Sequence, residues 1–238
     1  MRKLPVFLFT LIFSASAFSQ AKNKQIKLPN RTADHFMIQL ASNFWNGTAD
    51  SVSGFVKGLN RSANAYVMID KPFKNSPKFS VGIGIGVGTA NIYFKNMEVK
   101  IGALTPKLPF IRTDTGNHYK KYKLATAFLE IPLELRFSSN PETPNKSFKG
   151  AIGIKVGTLL NAHTKGKGLE NAGGAKINNF TVKESSKSYF NTTRISLTAR
   201  AGYGIFSVFG AYGITNIFKD GVAPVTRLGQ IGITVSGL

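Results

Sequence analysis

Residues 78–87 read Lys78-Phe79-Ser80-Val81-Gly82-Ile83-Gly84-Ile85-Gly86-Val87. Phe79, Val81, Ile83, Ile85 and Val87 share one parity, while Gly82, Gly84 and Gly86, continued by Gly88, take the other. Successive side chains of a β-strand point to opposite faces, so this strand has one aliphatic face and one with no side chains. A water-soluble sheet would turn the aliphatic face inward and clothe the other with polar groups. A bare face suits the lumen of a narrow barrel whose outer wall meets lipid. The stretch therefore predicts a strand of an outer-membrane β-barrel. A nucleotide-binding loop would need a tight turn and a helix after the glycines, but here the strand period simply continues.

Working outward, seven further segments alternate in the same way. Residues 34–45 set Phe36, Ile38, Leu40 and Phe44 against Gln39, Ala41 and Asn43. Residues 62–71 set Ala63, Ala65, Val67 and Ile69 against Asn64, Tyr66, Met68 and Asp70. The glycine strand itself covers 78–94. In 119–137, Leu129, Ile131, Leu133, Leu135 and Phe137 oppose Glu130, Pro132, Glu134 and Arg136. Pro132 marks a local irregularity there, because proline cannot donate to the ladder. Segments 147–158, 193–203, 206–217 and 227–238 complete the set.

Connection lengths alternate as well. Long ones (46–61, 95–118, 159–192) follow the first, third and fifth strands. Short ones (72–77, 138–146 and a tight turn at Gly204) follow the second, fourth and sixth. Short periplasmic turns and long external loops are the habit of membrane barrels. The expected fold is thus all-β, an eight-stranded antiparallel up-and-down transmembrane β-barrel over residues 34–238. Trp45, Tyr93, Tyr119, Tyr189 and Phe218 near the outer strand ends, and Phe73, Phe79, Phe137, Phe148, Tyr203 and Phe206 near the inner ends, suit two aromatic girdles. The competing fold is a soluble lipocalin-like barrel, in which Glu130, Glu134 and Arg136 would face outward.

The remaining composition fits an exported protein. Arg2 and Lys3, an apolar run to Phe13, and Ala17 and Ser19 ahead of Gln20 read as a signal peptide over 1–19. A periplasmic segment over 20–33 is expected to follow. The formal charge is +20, falling to +18 once Arg2 and Lys3 leave with the signal. A charge of this size raises nucleic acid as a partner. The lysines are nevertheless scattered over loops without a basic helix, and export points instead to anionic lipid. Cysteine is absent, so a closed hydrogen-bonded sheet must supply the stability that disulfides give other exported domains.

Glu130, Glu134, Arg136, Lys155 and Arg200 all fall on lumenal positions, with Asp70 near the periplasmic mouth. Buried charges pair because desolvating a lone one is costly. A structural ion-pair network, with Glu130 and Glu134 facing Arg200 and Lys155, is therefore expected. It would fill a barrel of this size rather than leave a diffusion pore. Glu130 and Glu134 are four residues apart on one face, about 13 Å by strand rise, too far for paired glycosidase carboxylates. His35, His118 and His163 form no zinc pattern. No spacing joins His118 and His163 to a partner such as Asp114 for general-base chemistry. No catalytic residue, cofactor or metal is expected. The glycine-, serine- and asparagine-rich stretch 159–192 reads as a mobile loop. Its Lys165, Lys167, Lys176, Lys183 and Lys187 are candidate contacts for anionic glycolipid.

The run Phe128-Leu129-Glu130-Ile131-Pro132-Leu133-Glu134-Leu135-Arg136-Phe137 resembles the central strand of PorT-like outer-membrane β-barrels of Bacteroidetes-type bacteria. Gly202-Tyr203-Gly204-Ile205-Phe206-Ser207-Val208-Phe209-Gly210-Ala211-Tyr212 resembles their penultimate hairpin, and Asn216 to Gly221 and Ile231-Gly232-Ile233 fit the same pattern. The resemblance implies a small, non-enzymatic integral outer-membrane barrel and an accessory role in a protein secretion machine, with secretion-system proteins as partners. The alternative is a stand-alone surface barrel that binds ligands or supports the membrane, with a barrel hydrolase last.

Overall fold

The computed structural model describes residues 36–237. The expected signal peptide (1–19), the segment 20–33 and His35 lie outside the described residues. The strands are β1 (Phe36–Asn46), β2 (Asn60–Phe73), β3 (Ser76–Phe94), β4 (Met97–Val99), β5 (Phe110–Arg112), β6 (His118–Ser138), β7 (Phe148–Glu170), β8 (Lys176–Ser185), β9 (Thr193–Tyr203), β10 (Phe206–Gly213) and β11 (Arg227–Ser236). One helical turn, α1 (Asp50–Ser53), follows β1. Eight of the strands close on themselves in the antiparallel order β1-β2-β3-β6-β7-β9-β10-β11. The seam runs from Met37 opposite Ser236 to Asn46 opposite Arg227.

The wall is inverted relative to a soluble barrel. On β6, Glu130 is 1% exposed while its neighbour Ile131 is 50% exposed. The same alternation runs around the ring, with Ile38, Val67, Ile85, Ile154, Leu197, Val208 and Ile233 all exposed. An exterior of this kind belongs in lipid, and the lipocalin-like arrangement is excluded. No helix among the described residues is long and apolar enough to cross a membrane. At the periplasmic end, Phe79 packs on Phe137 with ring centroids 5.3 Å apart, and Phe148 on Tyr203 at 5.1 Å. Gly204 takes φ +63° in the two-residue turn between β9 and β10, a conformation that favours glycine.

The bare face of β3 is the space its neighbours need. A methyl group on Gly82 would meet the Arg136 guanidinium, one on Gly86 the Tyr66 ring, and one on Gly88 the Glu130 carboxylate. Pro132 leaves a gap in the β3–β6 ladder, which is paired at Ile83–Leu133 and again at Gly86–Glu130 but not between. The register shift lies elsewhere, between Ala127 and Phe128 on the β7 side.

The external end departs from the expectation in two ways. First, β7 continues past Thr158 to Glu170 and turns back through β8, so most of the stretch read as a mobile loop is strand. Together with the outer half of β6 it makes a three-stranded ribbon above the barrel rim. Cross-strand pairing overrides the glycine-rich composition: the Tyr119 ring covers the face of Gly166 that a side chain would occupy. Second, the external connections fold inward. Val52, Met97, Val99, Ile101, Leu108, Tyr189, Phe190 and Phe218 pack on Ala90, Ile92, Phe94, Leu124, Phe128 and Leu159 from the barrel wall. Trp45 meets Phe94 and Phe218 edge-on at 5.6 and 5.7 Å. Trp45, Tyr189 and Phe218 therefore belong to an apolar cap over the lumen and not to an outer girdle.

Candidate functional site

Below the cap the lumen is polar, and its two halves differ. On the β11–β1–β2 side, neutral amides link the strands. Gln230 donates to Asn43 at 3.1 Å, Gln39 to Thr234 at 3.1 Å, and Asn64 to Gln39 at 3.3 Å. The β6–β7–β9 side is charged. These residues reach the same space because each sits on the inward parity of its strand, opposite the glycines of β3.

Two carboxylates organise the charged half. Glu130 accepts hydrogen bonds from the Tyr66 hydroxyl at 2.5 Å and from Arg194 at 2.7 Å, with the Lys155 ammonium at 3.9 Å. Lys155 also donates to the Tyr66 oxygen at 3.3 Å. Glu134 accepts from Arg136 at 2.8 Å and from Arg200 at 3.1 Å. Arg136 reaches on to Asp70 at 3.6 Å, and Ser80 donates to Asp70 at 2.7 Å. The Arg194 guanidinium lies 3.9 Å from the centre of the Phe128 ring, which joins the network to the cap. Cation–π contact of this kind shields a buried charge on its apolar side.

The structure thus brings together Glu130 with Lys155, and Glu134 with Arg136 and Arg200. It adds Tyr66 and Arg194, which sequence reasoning did not place in the network. Arg194 was legible in principle, since it shares the parity of Ser196, Thr198 and Arg200. Tyr66 could be put in the lumen by parity, but its pairing with Glu130 across β3 depends on the missing side chains there. Between network and cap lies one small cavity of about 20 Å³, bordered by Trp45, Thr126, Asn191 and Arg194. That is room for about one water molecule.

The groups weighed for catalysis stand apart. His118 is opposite Glu170 on the ribbon, 3.9 Å from its carboxylate, whereas His163 is opposite Ala125. Seven residues of strand, about 23 Å, separate the two positions. Asp114 is bound by Arg112 at 2.6 Å, and that guanidinium holds its carboxyl below the ordinary value. Among the described residues no group of three or more His, Cys, Asp or Glu could hold a metal.

The lysines named for anionic contacts are all on the external side. Lys165, Lys167, Lys176 and Lys183 lie on β7 and β8 and Lys187 in the connection that follows, and all five are exposed. Lys121 and Lys123 of β6 stand beside Lys167 and Lys165, a proximity set by strand register and not apparent from their distance in sequence.

A family model described as outer membrane protein beta-barrel domain matches residues 13–219. Comparison with curated proteins finds no match. A lipid-facing wall closed over eight strands, and a match that spans most of the sequence, agree on an outer-membrane location and on one conclusion: this chain belongs to the outer membrane protein β-barrel domain family.

Proposed function

We propose that the protein is a non-enzymatic accessory of a larger outer-membrane assembly, a protein secretion machine of the kind in which PorT-like barrels take part. The observation that carries this reading is the double filling of the barrel. Among the described residues an ion-pair network occupies the lumen and an apolar cap covers its external mouth, a filled interior that fits a role carried by the outside of the barrel better than one carried by the lumen. What the protein offers a partner is its outside. The β6–β7–β8 ribbon ends in β8, whose second edge has no strand beside it among the described residues. Ile177, Phe180 and Val182 are exposed along it. Unpaired edges of this type accept an extended segment of another chain. Export by a signal peptide cleaved before Gln20 belongs to the same reading.

The test is affinity isolation of the tagged protein from gently solubilised outer membranes, followed by mass spectrometry. Stoichiometric recovery of secretion-machine components supports the accessory role. Recovery of the barrel alone, under conditions that keep other complexes intact, favours the stand-alone surface barrel, a reading that the lysine-rich ribbon also suits. Planar-bilayer recording supplies the second arm. Steady conductance through the purified barrel would overturn the non-conducting reading.

A further inference from the structure

Register places Lys123 of β6 opposite Lys165 of β7, and Lys165 opposite Lys183 of β8. Two residues further out, Lys121 is opposite Lys167. Residues directly opposite in a sheet share a face, and so do residues two apart on one strand, so five ammonium groups crowd one side of the ribbon. No carboxylate among the described residues lies within ion-pairing distance of any of them. The ribbon's Glu170 is engaged by Lys120 at 3.3 Å and by His118, and Glu98 by Lys100 at 2.6 Å. Like charges set directly opposite weaken a sheet. Lys123 donates to the Asn91 side-chain oxygen at 2.7 Å and lies 5.9 Å from the centre of the Tyr93 ring. The ammonium groups of Lys121, Lys165, Lys167 and Lys183 have no such partner among the described residues, and an anion with several negative groups is their favourable complement.

We propose that this face, through Lys123, Lys165 and Lys183 with Lys121 and Lys167 beyond them, binds the phosphate groups on the sugar headgroup of an outer-leaflet glycolipid. The site faces the way the lipid-facing wall faces, because Tyr122 and Leu124 continue the lumenal parity of β6, and past the bulge that switches the parity of β7 Ala162 and Thr164 are buried on that same inner side. Its height selects the lipid. Lys165 is five residues beyond Leu160, the last exposed apolar residue of the β7 wall. At a strand tilt of roughly 45° that is about 12 Å above the apolar band. A phospholipid headgroup layer is only about 5–8 Å deep, whereas phosphates carried on a sugar headgroup reach this level.

The local ionisation agrees. Partial burial and the neighbouring Lys165 push the Lys123 ammonium below its ordinary value. Burial, then Lys183, Lys123 and Lys165, push the His163 imidazole down. A bound polyanion would relieve both. Lys176 and Lys187 are outside the site, since Lys176 is opposite Glu170 and Lys187 follows the end of β8. The proposal requires an outer-membrane barrel but not the accessory role, so either can fail alone.

The probe is purified phosphorylated lipooligosaccharide, titrated against the full-length barrel folded in zwitterionic phospholipid nanodiscs. A phosphatase-treated sample of the same glycolipid is the comparison. Lys165→Ala with Lys183→Ala should weaken binding about thirtyfold, the effect of two lysines facing anionic headgroups. Lys71→Ala with Lys74→Ala, at the periplasmic turn, should leave it unchanged. The dephosphorylated glycolipid should bind wild type no better than the intact one binds the double variant. Equal binding of the double variant, with unaltered heat-modifiable migration showing that it is folded, overturns the proposal. So does equal binding of the dephosphorylated glycolipid. Displacement by low millimolar inorganic phosphate would assign the face to a free anion and also overturn it.

Discussion

Glu130→Gln keeps the size of the side chain and an oxygen acceptor for Tyr66 while deleting the charge that binds two cations. Arg194, at 2.7 Å, and Lys155, at 3.9 Å, then remain inside the barrel without the carboxylate that pairs them. Both are less than 10% exposed and cannot swing into solvent. Breaking a buried pair by removing one partner costs about 3–5 kcal/mol, a large fraction of the roughly 5–15 kcal/mol of a typical domain. With a urea slope of about 2 kcal/mol/M, the unfolding midpoint should fall by about 2 M. The assay is urea titration of the barrel in detergent micelles, with the folded fraction read from heat-modifiable gel migration. Lys155→Met in the Glu130→Gln background removes an orphaned ammonium and should restore part of the loss, by about 0.5–3 kcal/mol of coupling. Glu142→Gln, on the exposed turn between β6 and β7, is the control and should stay within about 0.5 kcal/mol. A Glu130→Gln cost below about 1 kcal/mol, or a double variant as weak as the two single losses added, would refute the view that these charges are mutually dependent.

Three other outcomes follow from the same geometry. Ile131→Lys, on the lipid-facing side of β6, should lower stability in bilayers by about 2–4 kcal/mol, measured by unfolding from phospholipid vesicles. Tolerance there would contradict the inverted wall. Phe218→Ala removes a ring that is 2% exposed at the centre of the cap, and should cost about 3–5 kcal/mol. It should still give no steady conductance in planar bilayers, because the ion-pair network lies beneath. The depressed ionisation of His163 means that the unfolded chain takes up a proton more readily than the ribbon does. Ribbon protection from hydrogen exchange should therefore fall as pH drops through 6.5, the ordinary value, and below. His163→Gln should flatten that dependence, and an unchanged pH profile would remove His163 as its source.

Alternation alone carried the wall. Whether Ile131 faces out and Glu130 in is decided by a period of two, a property of each strand by itself, so eight strands and their lumenal charges could be read directly. The glycines at 82, 84, 86 and 88 announced a crowded lumen, because an empty face is useful only where other side chains fill it. Even Trp45 could have been assigned inward, since it shares the parity of Met37, Gln39 and Asn43.

What lay beyond sequence was everything set by partners far along the chain. Residues 159–170 look like loop because glycine and lysine have weak strand preference, and it is the ladder with β6 that makes them strand. Tyr189 and Phe218 look like girdle aromatics until the long connections fold over the mouth and bury them together. The lysine face depends on Lys123, Lys165 and Lys183 arriving side by side from three strands, and no local pattern encodes that register. Sequence by itself determined which way each wall residue points, because that is local backbone geometry. Only the tertiary structure decided what each one meets, because cross-strand neighbours are chosen by closure of the barrel and by the packing of its cap.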